Sequence, residues 1–172
     1  MITNNWSYTI NDSTHPHNGQ TLWSGRYCAV VGFVFKQVNN DWFILANKRS
    51  NNTPDYQGYW NCPCGYLECN ETGEEGVSRE VLEETGVYIK PFEFTLYNVE
   101  TDPKICNRGN VSLRYWTFNP DIESKTISTP NEVEEVKWIN LFDIKDYKWA
   151  FNHDNIIYDI WNILLENQSS II

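Results

Sequence analysis

The order of segments predicts an α/β fold. Apolar, β-branched stretches at 26–38 and 42–49 come first, and a capped acidic helix over 72–86 follows. Further alternating stretches then lead to a helical pattern that begins at His153. A length of 172 residues is that of one domain, read here as 26–172 behind a lead-in segment at 1–25.

Residues 6–10 alternate and predict a short strand, and 11–19, with Pro16, carry turn chemistry. The continuous apolar middle of 26–38 is that of a strand buried on both faces. Asn39-Asn40-Asp41 is a hairpin signal that makes 42–49 the partner strand. A loop at 51–58, with Pro54, leads through 60–63 to Gly65. Beyond the helix, 88–101 and 111–118 read as strands around a polar loop with Pro103 and Gly109. A polar, mobile loop is expected at 120–131. Val133, Val136 and Trp138 then alternate among Glu132, Glu134 and Glu135, which predicts a strand with acids near its start. A helical turn is expected at 141–145. In the last helix Ile156, Ile157, Ile160, Trp161, Ile163 and Leu164 recur near helical spacing, with His153 as a helix-start residue.

The central helix carries the chemistry. Thr72 with Glu75 is a capping box, and Gly86 closes the helix. Offsets of three and four place Glu80, Glu83 and Glu84 on one face, beside an apolar stripe of Val77 and Val81. Like charges at this spacing repel by about 0.2–0.5 kcal/mol per pair, which a cation relieves. All-oxygen ligation suits Mg²⁺ or Mn²⁺ rather than a soft metal.

From Gly65 to Val87 the chain matches, at every defined position, the pattern G-x5-E-x7-R-E-U-x-E-E-x-G-U, where U is aliphatic. This resembles the signature of the Nudix hydrolases, and a looser likeness extends over 26–165. The resemblance implies an α/β/α sandwich with a mixed β-sheet. It also implies an Mg²⁺-dependent hydrolase, with Mn²⁺ as a substitute, that cleaves the diphosphate of a nucleoside diphosphate linked to a group X. By the same likeness Glu80, Glu83 and Glu84 are the metal carboxylates, and the Cys64 carbonyl is a further ligand. Glu80 and Glu83 share catalysis with Arg79, which braces the helix together with Glu71. A further carboxylate outside the signature serves as base; Glu132, Glu134 and Glu135 are candidates, with Glu135 preferred. Arg26 and Arg49 are the candidates for substrate binding, and Lys48 also ends a strand within reach of a phosphate. One departure is Pro63-Cys64-Gly65 where the family commonly has Pro-Gly-Gly. Either the loop takes another path, which puts the Cys64 ligand in question, or the first glycine is dispensable.

Composition narrows the rest. A net charge of −10 and no basic tract oppose non-specific nucleic-acid binding. Nucleic acid enters only as a 5′-end substrate. The eight tryptophans and ten tyrosines offer stacking surfaces for a base. No apolar run is long enough for a membrane span and no secretion signal opens the chain, so a soluble cytoplasmic protein is expected. Five cysteines, an odd number, then read as free thiols. Many family members are homodimers, although no interface is legible here.

The signature says little about X. Pro103, sixteen residues beyond Val87, resembles the subgroup that prefers ADP-ribose. RNA 5′ ends, nucleoside triphosphates and dinucleoside polyphosphates are alternatives. So is a nucleotide sensor of the same fold that does not turn its ligand over.

Overall fold

The computed structural model describes residues 7–9, 14, 21–23, 25–105, 108–118 and 131–169. The expected turn at 11–19, apart from residue 14, and the expected loop at 120–131, apart from residue 131, lie outside the described residues. In the lead-in segment, β1 (Ser7–Thr9) and β2 (Thr21–Trp23) form an antiparallel pair of their own.

Asn39 and Asn40 both hold positive φ, 51° and 72°, the left-handed pair of a two-residue hairpin. They join β3 (Cys28–Val38) to β4 (Asp41–Arg49), with Val38 opposite Asp41. Two short strands follow, β5 (Trp60–Asn61) on β4 and β6 (Cys64–Tyr66) on the first half of β3. After α1 (Gly73–Thr85) come β7 (Thr95–Glu100), β8 (Val111–Phe118) and β9 (Val133–Asn140). β8 runs parallel to β3, whereas β7 pairs β8 and β9 pairs β4 antiparallel. The sheet is therefore mixed, as expected.

Alternation along β3 sorts the core into two layers. Val30 and Val34 face Val77 and Val81 of α1. Val31, Phe33 and Phe35 face the other way, onto Ile156, Ile157, Ile160 and Leu164 of α2 (His153–Ser169). Each such buried aliphatic side chain contributes roughly 1.5–3 kcal/mol. One helix on each face makes the α/β/α sandwich. Ile163 falls off the α2 stripe and is 41% exposed. No helix among the described residues is long and apolar enough to cross a membrane.

The strand expected at 88–101 starts later, at Thr95. Pro91 has no N–H for a ladder and instead opens a 3₁₀ turn, Pro91–Glu93, whose Glu93 carboxylate accepts the Lys90 N–H at 3.0 Å. The expected turn after β9 is a 3₁₀ turn, Leu141–Asp146.

α1 lies so close to β3 that Gly32 is needed for room. A Cβ there would meet the Cγ2 atoms of Val77 and Val81 at 2.9 Å. Both are stiff β-branched side chains, so Gly32→Ala is expected to lower stability by about 1–3 kcal/mol, read as a lower denaturant midpoint. A midpoint equal to that of the parent protein would mean that α1 shifts freely on the sheet.

Candidate active site

The helix ends form as local chemistry requires. The Thr72 hydroxyl accepts the Glu75 N–H at 3.2 Å, and the Glu75 carboxylate accepts the Thr72 N–H at 2.8 Å. Gly86 sits at φ 72° and returns its N–H to Leu82. With both ends fixed, the acidic face of α1 is held against β6.

Cys64 has strand geometry and needs no glycine-like φ. The bonds Gly32 N–H to Pro63 O and Leu67 N–H to Cys28 O mark the hydrogen-bonded positions of the β3–β6 ladder. Cys64, opposite Val31, falls between them, so its N–H and C=O both point away from β3. The N–H meets the Glu84 carboxylate at 3.0 Å. Gly65 answers a different need. A Cβ there would lie 2.1 Å from Glu80 Oε1, so the carboxylate fills the space that a side chain would take.

Arg79 binds the cluster together. It donates to Glu71 at 3.0 and 2.8 Å, to Glu80 at 2.7 Å, to Glu83 at 3.0 Å and to the Tyr66 carbonyl at 3.0 Å. Glu71, which also takes the Glu68 N–H, has its pKa lowered mainly by this pairing. In Glu84 and Glu80 burial outweighs the partners that each has. Burial, then the charge of Glu80, pushes Glu84 up to about 8, and Glu84 is only 6% exposed. Burial also raises Glu80, with Arg79 opposing and Glu83 and Glu132 adding to the rise. Glu83 is the open member, with its side chain 53% exposed.

Glu80, Glu83, Glu84 and Glu132 line one cleft of about 510 Å³. Glu135, the acid preferred from the sequence, is not part of that lining. Glu135 stands opposite Lys48, on the face that Ala46 and Ile139 share with α2. Val136 and Trp138 take the α1 face. A register shift between Lys48 and Arg49 leaves Glu134 without a partner position, and Glu134 pairs with the Lys48 ammonium at 2.9 Å. Glu132, just before the strand, is the acid that reaches the cleft, and its charge is felt by Glu80 and Glu84.

A second cavity, also about 510 Å³, adjoins the first. Arg49, Cys64, Gly65, Tyr66 and Arg108 line both. Asp55 bridges the two arginines, with Arg49 at 2.9 Å and Arg108 at 2.8 Å. Tyr56, Phe151, Arg114 and His153 line this cavity but not the cleft. Arg49 thus lines both cavities, and Arg26 lines neither. Its guanidinium donates to the backbone carbonyls of Thr101, Gly109 and Asn110 and ties down the loop before β8. The sequence reading missed the roles of Arg108, Asp55 and His153. Arg108 and Asp55 sit in loops, where no periodicity points inward, and His153 carries only a helix-start signal in the sequence.

A family model described as NUDIX domain matches residues 26–160. The chain belongs to the Nudix family. Among its relatives, the ADP-ribose pyrophosphatase of Methanocaldococcus jannaschii is 34% identical over 122 residues, covering 71% of this chain and 68% of the relative. A MutT-like protein of Streptomyces ambofaciens is 37% identical over 131 residues, covering 69% and 76%. In fold the chain is similar to the NUDIX domain of Shewanella oneidensis NrtR complexed with ADP ribose. That likeness has a TM-score of 0.69, 23% identity and coverage of 83% and 90%. This Nudix chain is a hydrolase of the pyrophosphatase type.

Nudix enzymes generally use divalent metals, and the donor set here fits one. Glu84 and Glu80 are buried carboxylates that repel each other, and the outward edge of Cys64 adds a carbonyl oxygen to an all-oxygen set. Among the described residues no three such side chains already converge on one point, because Glu80 and Glu83 are turned to Arg79. Binding therefore requires rotation about soft terminal carboxylate torsions.

The raised Glu84 pKa fixes a sign. Between the ordinary 4.5 and about 8, the metal-free folded chain holds a proton that the unfolded chain has lost. Stability then falls as pH rises through that window. The melting temperature in chelator is expected to drop from about pH 5 to about pH 8, and Glu84→Gln to flatten that drop. A slope unchanged in the variant would place the titration elsewhere. Arg79→Ala leaves buried carboxylates without their donor. It is expected to cost about 2–3 kcal/mol and to lower turnover in the same step; lost turnover with an unchanged melting temperature would contradict the brace.

Proposed function

We propose that the chain hydrolyses the diphosphate of a nucleoside diphosphate linked to X, with an ADP-ribose-like compound as substrate and Mg²⁺ or Mn²⁺ as cofactor. The observation that carries this reading is the meeting of two unlike cavities. One is a carboxylate cleft and the other has basic and aromatic walls, and Arg49 and Arg108 stand where they join. A diphosphate between two organic groups fits such a neck. The ADP-ribose pyrophosphatase relative supports the choice of substrate.

Glu80, Glu83, Glu84 and the Cys64 carbonyl are the groups that would hold the cation. When bound, it supplies positive charge against the diphosphate and acidifies water. The chain's own residues do the rest. Arg49 and Arg108 orient the phosphates, and Asp55 keeps the two guanidiniums side by side. Glu132 takes a proton from the attacking water. Oxygen from that water bonds to phosphorus as the bridging P–O bond breaks, which leaves two phosphomonoesters. Arg79 is a positioning residue that sets Glu80 and Glu83 along the cleft.

With ADP-ribose and Mg²⁺ the expected products are AMP and ribose 5-phosphate, identified by chromatography. Glu132→Gln is expected to slow turnover by about 10²–10⁴-fold, whereas Glu135→Gln stays within about twofold of the parent. The reverse ranking would return the base to Glu135. Products containing inorganic pyrophosphate, from a triphosphate in the same panel, would move the substrate to that class.

A further inference from the structure

The cavity beside the carboxylate cleft is lined by a hydrogen-bond donor that meets no acceptor among the described residues. His153 is 3% exposed, and its Nδ1 accepts the Cys62 N–H at 3.0 Å. Burial, reinforced by Arg114 and Arg49, pushes its pKa down to about 3, so the ring is neutral at ordinary pH. A neutral imidazole that accepts at Nδ1 carries its hydrogen on Nε2. No described residue accepts that hydrogen, and Nε2 is not among the partnerless polar atoms sealed from solvent. The His153 ring lines the cavity, and that is the side from which we read an acceptor to approach Nε2–H.

The walls beside it are aromatic and held at a cost. The Phe151 ring lies 5.5 Å from the imidazole, and the Tyr56 ring lies 4.8 Å from Phe151 in an edge-on arrangement. The Arg49 guanidinium sits 5.1 Å from the centre of Phe151. Tyr56 and Phe151 occupy the left-handed region at φ 49° and 58°, which bulky L-residues avoid, next to Asn152 at φ 57°, a residue type that tolerates it. Tyr56 and Phe151, two bulky residues so held around one cavity, are a concentration of strain of the kind found where a ligand is gripped. The cavity, about 510 Å³, also has the size of a small-molecule pocket.

We propose that this cavity is the nucleobase subsite, in which the base packs against Phe151 and Tyr56 and accepts a hydrogen bond from His153 Nε2–H. The assignment rests on the reading of the substrate as a nucleotide, and it makes His153 a specificity-determining residue. The ribose side of the nucleotide then points to the neck, so that its phosphates pass Arg49 and Arg108 on the way to the glutamates. Flat π-faces favour a base over a sugar, and a lone N–H donor selects an acceptor on the base edge.

The test is calorimetric titration of the whole chain with AMP, GMP, CMP and UMP, and with ribose 5-phosphate as the ligand that lacks a base. The parent protein is expected to bind at least one monophosphate more tightly than ribose 5-phosphate. His153→Asn keeps an oxygen near the Nδ1 position for Cys62 and removes the Nε2 donor. Its melting temperature is expected to hold, while the preferred monophosphate weakens about tenfold, or about 1.4 kcal/mol, and ribose 5-phosphate does not change. Phe151→Leu, which leaves His153 in place, is expected to give the same selective loss. Unchanged monophosphate affinity in both variants overturns the proposal, as does equal loss for both ligand types. Hydrolysis is scored apart. A chain that cleaves ADP-ribose but binds AMP no better than ribose 5-phosphate loses the subsite alone. One that binds a base through His153 and cleaves no diphosphate keeps the subsite and loses the activity.

Discussion

One guanidinium holds the carboxylates of this site in place. Arg79 reaches Glu71, Glu80, Glu83 and a backbone carbonyl of β6 at once. Without a charge at that point, α1 would carry several acids on one side with only water to separate them. With it, the helix can be pressed against β6 closely enough that Gly65 has no room for a side chain and Glu84 is buried. The brace also accounts for why, among the described residues, the acids do not converge on one point. The same cation that keeps the acids together turns two of them toward itself.

The local parts were readable because local physics fixes them. A capping box and a left-handed glycine act within one turn of chain, and Thr72, Glu75 and Gly86 formed as expected. The hairpin at Asn39 and Asn40 is of the same kind. The apolar middle of β3 and the stripe of α2 also announced themselves, since a buried face leaves a period in the sequence. Where the reading ran long, at 88–101, a proline interrupted a ladder that alternation alone does not see.

Glu135 shows what alternation leaves open. Three glutamates near a strand start look equivalent, but a strand sends neighbours to opposite faces, and one register shift decides which of them meets the cleft. That shift depends on how β4 and β9 pair, across about ninety residues of chain. Arg26 fails for a related reason. Its charge suggested a phosphate, yet three carbonyls of a distant loop lie closer. The Cys64 departure resolved the other way, because the ladder opposite Val31 asks only for extended backbone.

The sequence by itself determined the family and the capped acidic helix. Those follow from spacing along one continuous element, where bond geometry sets distance. The tertiary structure alone decided which acid outside the signature lines the cleft, and it joined Asp55 to both arginines. It also left His153 with one nitrogen bonded and the other open to a cavity. These last relations join residues far apart in the chain, and only packing of the sheet and its loops brings such groups within a few ångströms.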